Sequence, residues 1–342
     1  MNRRPFLFFP LFTLAFTSCA ISTTTQFQTA EFRIPTRDQG IQIYLRNKRL
    51  RGSTQFRPDR TVLFVHGLTF ASSAVFDLPL DGESWMEFIA SRGFDVWSVD
   101  IRGYGQSTRP QAMAQPATAN LPILDAATAT NDLADAVEFI LTLRKLPQLS
   151  ILAWSWGTVL AARFAAERPE RLARLALYAP VWMWQGPGPS PSAPPGAWRG
   201  VTPAAARTSW LNQAPEAHRE TLIPTGWFEQ WAASVWAADK ESAQTEPPVL
   251  RVPNGPLTEV TTNWAAGRTP FDPSRIAAPT LLVVGEWDRT TPVAQARALL
   301  PLLTKARSSR LATVPEGTHS LFLERNRNAL FTTVQAFLEA TE

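Results

Sequence analysis

The sequence holds a single cysteine, Cys19, in 342 residues. No intramolecular disulfide can form, so burial and hydrogen bonding must hold the fold together. Histidine is nearly as scarce, with His66, His218 and His319 the only three. So few argue against a histidine-built metal centre, and no metal site is expected. A charge excess is missing too. The net charge is +4 from 33 basic and 29 acidic residues, and Arg3 and Arg4 lie in a segment expected to be removed, leaving +2. No run of Lys and Arg interleaved with aromatics appears, which sets nucleic acid aside as a partner. Phosphate loop, dinucleotide fingerprint and internal repeats are all missing. No cofactor is therefore expected.

What is present is a 45% hydrophobic chain long enough for one large domain, or one domain carrying an inserted subdomain. Its start is distinctive. Met1-Asn2-Arg3-Arg4 is basic, residues 6–16 are nearly all apolar, and small residues surround Cys19. This reads as a secretory signal peptide over residues 1–18, too short to span a membrane as a helix. Phe16-Thr17-Ser18-Cys19 resembles the lipobox of bacterial lipoproteins. That resemblance implies lipidation at Cys19, transport across the bacterial inner membrane and anchoring in the cell envelope, on the periplasmic side or outer membrane. The membrane surface is then a partner through the acylated N-terminus. A plain signal peptide with an incidental cysteine is the alternative. Residues 19–30, rich in Thr, Ser and Gln, read as a tether.

From residue 31 strands and helices alternate. Two strands are expected at 31–35 and 41–46. Buried-type runs at 61–65, 94–99, 149–154, 172–178 and 280–285, with a further strand at 309–314, are interleaved with helical patterns at 84–92, 131–145, 156–167, 293–300 and 321–338. Continuous Val/Ile/Leu runs followed by helices predict an α/β fold: a mostly parallel sheet covered by helices on both faces. Residues 181–270 break the pattern. They are rich in Pro, Gly, Ala and Trp, and hold eight of the thirteen tryptophans. They read as a cap, or lid, inserted over the strand ends, dividing a core of residues 31–180 and 271–342. Trp182, Trp184, Trp198, Trp210, Trp227, Trp231, Trp236 and Trp264 are expected mostly to pack the cap together, some of them lining an apolar pocket.

One stretch carries chemistry. The apolar run Leu149–Trp154 stops at Ser155, and Gly157 follows before helix-forming residues. Strand, sharp turn and helix with serine at the apex is the setting of a nucleophile elbow, bounded here by Trp154 and Gly157, with Ala153 in place of the usual first glycine. An ordinary helix-capping serine is the bland alternative. A serine hydroxyl needs a histidine to take its proton and an acid to orient that histidine, in the chain order Ser, Asp/Glu, His. Asp288 lies just past the expected strand 280–285, and His319 just past 309–314, at the same sheet edge. Glu286 and Asp272 compete with Asp288. Asp125, Asp132 and Asp135 are read as helix-start and solvent-face charges, and His218 as a surface residue.

His66-Gly67, Asp100-x-Arg102-Gly103-Tyr104-Gly105-x-Ser107, Trp154-Ser155-Trp156-Gly157, Gly285-x-x-Asp288-x-x-x-Pro292 and Gly317-x-His319 occur in order along the chain. Together they resemble the α/β-hydrolase superfamily, in its cap-bearing serine hydrolase branch (esterase, lipase or lysophospholipase-like). The resemblance implies Ser155 as nucleophile, His319 as base and Asp288 as orienting acid. The backbone N–H groups of Leu68 and Trp156 would form the oxyanion hole, with His66 and Gly67 supporting the oxyanion loop. The implied reaction is hydrolysis of apolar or lipid-like carboxylic esters through an acyl-enzyme. An amidase or peptidase (proline iminopeptidase-like), a C–C bond hydrolase and a non-catalytic binding protein on the same scaffold are the alternatives. Asp100–Ser107 matches a scaffold signature of the family.

Overall fold

The computed structural model describes residues 26–183 and 196–341. The expected signal peptide, Cys19 and Trp184 lie outside the described residues. The strands are β1 (Phe27–Pro35), β2 (Gln42–Leu50), β3 (Thr61–Val65), β4 (Asp95–Asp100), β5 (Leu149–Trp154), β6 (Leu172–Tyr178), β7 (Trp198–Val201), β8 (Leu250–Pro253), β9 (Thr280–Gly285) and β10 (Ser309–Val314). Eight of them form one sheet in the order β1-β2-β4-β3-β5-β6-β9-β10, and β7 pairs with β8 apart from it. The β1–β2 and β2–β4 pairs are antiparallel, and the rest of the large sheet is parallel.

The helices are α1 (Ser72–Phe76), α2 (Trp85–Ala90), α3 (Ala126–Arg144), α4 (Trp156–Glu167), α5 (Pro203–Leu211), α6 (Arg219–Leu222), α7 (Trp227–Ala237), α8 (Gly255–Glu259), α9 (Val293–Leu299) and α10 (Arg327–Glu339). Every residue of β3, β4, β5 and β9 is buried. A strand buried along its whole length has both faces covered, which is why these segments read as unbroken apolar runs and not as alternation. Because β3, β4, β5, β9 and β10 run parallel, the loops that follow them emerge at one edge. That shared edge brings residues 66–68, 100–107, 155, 286–291 and 315–320 together.

Several boundaries differ from expectation, among them that β2, expected to end at 46, runs on to Leu50. Phe27–Ala30, read as the end of a tether, already pair with β2. Helix α3 begins five residues early at Ala126, because the Asp125 side chain accepts the Thr128 N–H at 2.7 Å and caps it. The single helix expected over 321–338 is two pieces, a turn at Leu321–Leu323 and then α10.

The reading of Asp132 also needs correction. It does not face solvent. Asp132 is fully buried and paired with Arg102, whose Nε lies 2.8 Å from Oδ2. This ion pair locks α3 to the Asp100–Ser107 loop. Asp135 is the outward residue and pairs with Arg37 at 2.7 Å.

Between β6 and β9 the chain leaves the sheet. Within this excursion Trp182, Trp210, Trp231, Trp236 and Trp264 are buried. Trp231 is the hub. Its ring meets Phe70 of the core at 4.8 Å between centroids, Trp210 at 5.5 Å and Trp236 at 5.8 Å. Edge-to-face packing of this kind welds α5 and α7 to the loop after β3.

Candidate active site

Ser155 stands between β5 and α4 with φ 56° and ψ −127°. A side chain at positive φ is strained, and the surroundings hold it there. Its N–H donates to the Tyr178 carbonyl at 3.0 Å, and its own carbonyl accepts the Thr158 N–H at 2.8 Å. The turn is also crowded. A Cβ on Gly157 would sit 2.4 Å from the His66 carbonyl oxygen, so only glycine fits. Ala153 is fully buried, and its methyl is accommodated where the usual pattern has glycine.

Ser155 Oγ lies 2.8 Å from His319 Nε2, and His319 Nδ1 lies 2.9 Å from Asp288 Oδ2. All three residues are buried. A carboxylate only accepts, so Nδ1 carries the proton and Nε2 is free to accept from the serine hydroxyl. Asp288 is itself fixed. Oδ1 accepts the N–H groups of Thr290 and Thr291 at 2.9 and 2.8 Å, and the Thr291 hydroxyl donates to Oδ2 at 2.9 Å. The His319 carbonyl takes the Trp154 indole N–H at 2.9 Å and the Tyr178 hydroxyl at 2.8 Å. The sequence rivals are elsewhere. Glu286 is exposed and accepts the Glu316 N–H, while Asp272 caps Ser274.

His66 is fully buried. Its Nε2 accepts the Ile101 N–H at 3.1 Å, which leaves the proton on Nδ1 to donate to the Gly67 carbonyl at 2.6 Å. Burial lowers its pKa to about 4, so the ring is neutral and fully engaged. It braces the loop and has no nitrogen left for proton transfer. Next in the chain, the Leu68 carbonyl accepts the Tyr104 hydroxyl at 2.9 Å and Arg199 Nη2 at 3.4 Å. Arg199 comes from β7, so the excursion also holds this loop. Asp100 acts behind it, accepting the Ser72 and Gln106 N–H groups at 2.9 and 3.0 Å. Its burial raises the carboxyl pKa to about 6.

A cavity of about 260 Å³ opens over Ser155 and His319. Leu68, Phe70, Trp154, Val201, Trp210 and Trp231 give it a largely apolar wall. Trp154 therefore contributes to the pocket, whereas Trp156 is fully buried beneath it.

The model of the alpha/beta hydrolase fold matches residues 60–326, most of the chain. The chain belongs to the alpha/beta hydrolase fold family. Solved structures are similar in shape at low identity. A hydrolase from Pseudomonas aeruginosa PA01 has TM-score 0.61 and 18% identity, over 91% of this chain and 98% of that one. A thermophilic esterase from Thermogutta terrifontis has TM-score 0.59 and 17% identity, over 90% and 98%. The 2-hydroxy-6-oxo-6-phenylhexa-2,4-dienoate hydrolase of Rhodococcus sp. strain RHA1 has TM-score 0.60 and 16% identity, over 92% and 100%. No curated protein matches by sequence. As a family member the chain is a hydrolase.

Several residues around this site were not singled out from the sequence. Thr291 occupies an unspecified position of the Gly285-to-Pro292 pattern, yet its hydroxyl holds Asp288 and lies 3.3 Å from His319 Nδ1. Gln213, from 106 residues away, and Glu324 both reach the His319 turn with no local motif to announce them, and Trp210 of the excursion bonds to Glu324. His218 is half-buried, its ring 4.8 Å from that of Trp287.

Proposed function

We propose that this chain is a serine hydrolase of carboxylic esters with apolar or lipid-like acyl groups. The observation that carries the reading is the unbroken chain Ser155–His319–Asp288 at the floor of an apolar cavity. In this reading His319 Nε2 takes the Ser155 proton as Oγ attacks the ester carbonyl. The oxyanion is received by two backbone N–H groups. Trp156 opens α4, where its amide has no acceptor within the helix, and Leu68 lines the cavity. His319 then gives its proton to the departing alcohol, leaving an acyl-Ser155. Water, deprotonated by the same ring, releases the acid. The negative charge of Asp288 stabilises the imidazolium that forms twice per cycle.

The excursion at 181–270 is the cap in this scheme, supplying Trp210 and Trp231 to the acyl pocket. Acylation of Cys19 would hold the enzyme at a membrane surface of the cell envelope, where apolar esters partition. The test combines a fluorophosphonate probe with p-nitrophenyl esters of graded chain length, on wild type and Ser155→Ala. Labelling and turnover are expected in wild type and lost in the variant. A wild type that neither labels nor hydrolyses any ester overturns the reading. Labelling without ester turnover moves the scissile bond to an amide or a C–C bond. Labelling of the intact lipoprotein with radioactive palmitate, lost in Cys19→Ser, tests the anchor.

A further inference from the structure

Behind the His319 turn lies a carboxyl group that the proposed reaction does not use. Glu324 follows the turn Leu321–Leu323 and is fully buried. It accepts the Trp210 indole N–H at 2.6 Å, the Thr318 N–H at 3.0 Å and the Thr318 hydroxyl. Among the described residues no cation pairs with it. A carboxyl group buried without a counter-ion is costly, and here the cost is offset only by these donors.

The donors come from two functional places. Thr318 immediately precedes His319. Trp210, at the end of α5, is a wall of the cavity over Ser155. Three further hydrogen bonds tie the excursion to the loops around the site. Gln213 Oε1 accepts the His319 N–H at 3.3 Å and the Arg289 N–H at 3.4 Å, and the Arg325 N–H donates to the Leu222 carbonyl at 3.1 Å. We propose that Glu324 is a positioning residue that ties the pocket wall at Trp210 to the turn carrying His319, so that the excursion between β6 and β9 sets the orientation of the base. This rests on the Ser155–His319–Asp288 reading above.

The geometry dictates the variants. Oε1 faces the Trp210 N–H and Oε2 faces the Thr318 N–H, both of which can only donate. Glutamine in place of Glu324 must turn its NH₂ on one of them and break that link. Trp210→Phe keeps an aromatic wall and removes the N–H. The experiment measures kcat and KM for p-nitrophenyl acetate, the rate of fluorophosphonate labelling and the melting temperature, for wild type, E324Q, W210F and the double variant. Acetate is short, so its turnover reports on His319 more than on the fit of an acyl chain.

Each single change is expected to lower kcat and the labelling rate roughly tenfold, with KM within about twofold, because a misplaced base slows chemistry more than binding. The double variant is expected to be no slower than the worse single one, since both cut one link. Folded variants whose kcat stays within about twofold, or losses that multiply in the double variant, overturn the proposal. A lower melting temperature with unchanged kcat does so too, because it leaves Glu324 a purely structural role. If E324Q does not fold, W210F alone decides. A wild type that does not label overturns the serine hydrolase reading, and this proposal with it. A labelling wild type with unaffected variants overturns this proposal alone.

Discussion

The indole of Trp154 donates a hydrogen bond to the backbone carbonyl of His319 at 2.9 Å. The residue before Ser155 thus grips the turn that carries the partner of Ser155. Tyr178, at the end of β6, makes a second bond to the same carbonyl at 2.8 Å. The ring of Trp154 also meets that of His319 at 5.3 Å between centroids. Geometry between strands β5, β6 and β10 is thereby translated into the position of one imidazole.

Trp154→Phe should lower kcat by about fivefold and stability by about 1 kcal/mol, the usual net value of one hydrogen bond. With Tyr178→Phe added, the His319 carbonyl is left buried without these partners, and the loss should exceed the sum of the two singles. Ester kinetics and denaturant melts on the three variants check this.

Asp288→Asn should reduce kcat by roughly 10³- to 10⁴-fold, because an amide in that place disturbs the tautomer of His319 and withdraws the charge facing the imidazolium. Glu286→Gln should leave kcat within about twofold, since that side chain points to the Glu316 N–H. A reversed result would move the acid role to Glu286. Burst and steady-state assays with a p-nitrophenyl ester read both.

Gly157→Ala should destabilise the fold by about 3 kcal/mol or more. Its methyl would meet backbone, the carbonyl oxygens of His66 and Val65 at 2.4 and 2.7 Å, and backbone cannot swing aside as a long side chain does. The expected readout is a lower denaturation midpoint with an unchanged slope.

Burial raises the Glu324 carboxyl from 4.5 to about 7. Between those values the folded protein holds a proton that the unfolded chain has released. Stability therefore falls as pH rises through this window, by on the order of 3 kcal/mol at most. His66 has the opposite sign. Its pKa is lowered to about 4, so stability from it grows as pH rises from about 4 to 6.5. The wild type alone mixes the two slopes. The difference in unfolding free energy between wild type and E324Q isolates Glu324, and it should shrink as pH goes from 5 to 8.

The α/β core was legible because its strands are buried on both faces and carry no alternation to misread. The loops after β5, β9 and β10 were legible because Ser155, Asp288 and His319 sit at strand ends that a parallel sheet gathers at one edge. Asp132 was misread because a helical charge looks the same in sequence whether it faces water or an Arg102 guanidinium from another loop. Glu324, Gln213 and the bond between Glu324 and Trp210 were invisible for the same reason. Their partners lie as much as 114 residues away, and no short-range pattern encodes such a meeting. The helix expected at 321–338 ran together because its two pieces share apolar spacing across a break.

Strands β6 and β9 are neighbours in register, Tyr178 opposite Val283, although the whole excursion separates them along the chain. The entropy of closing such a loop grows only with the logarithm of its length, so halving or doubling the excursion would shift stability by about 0.6 kcal/mol. Its length is close to a free variable. What constrains it is where it is pinned: at Phe70, Leu68, His319 and Glu324 around the site, and at Met113, Ala117, Ile123, Ala126 and Gln295 beyond it. Segments of quite different size could be spliced into the same gap and leave the sheet undisturbed, provided those moorings were kept.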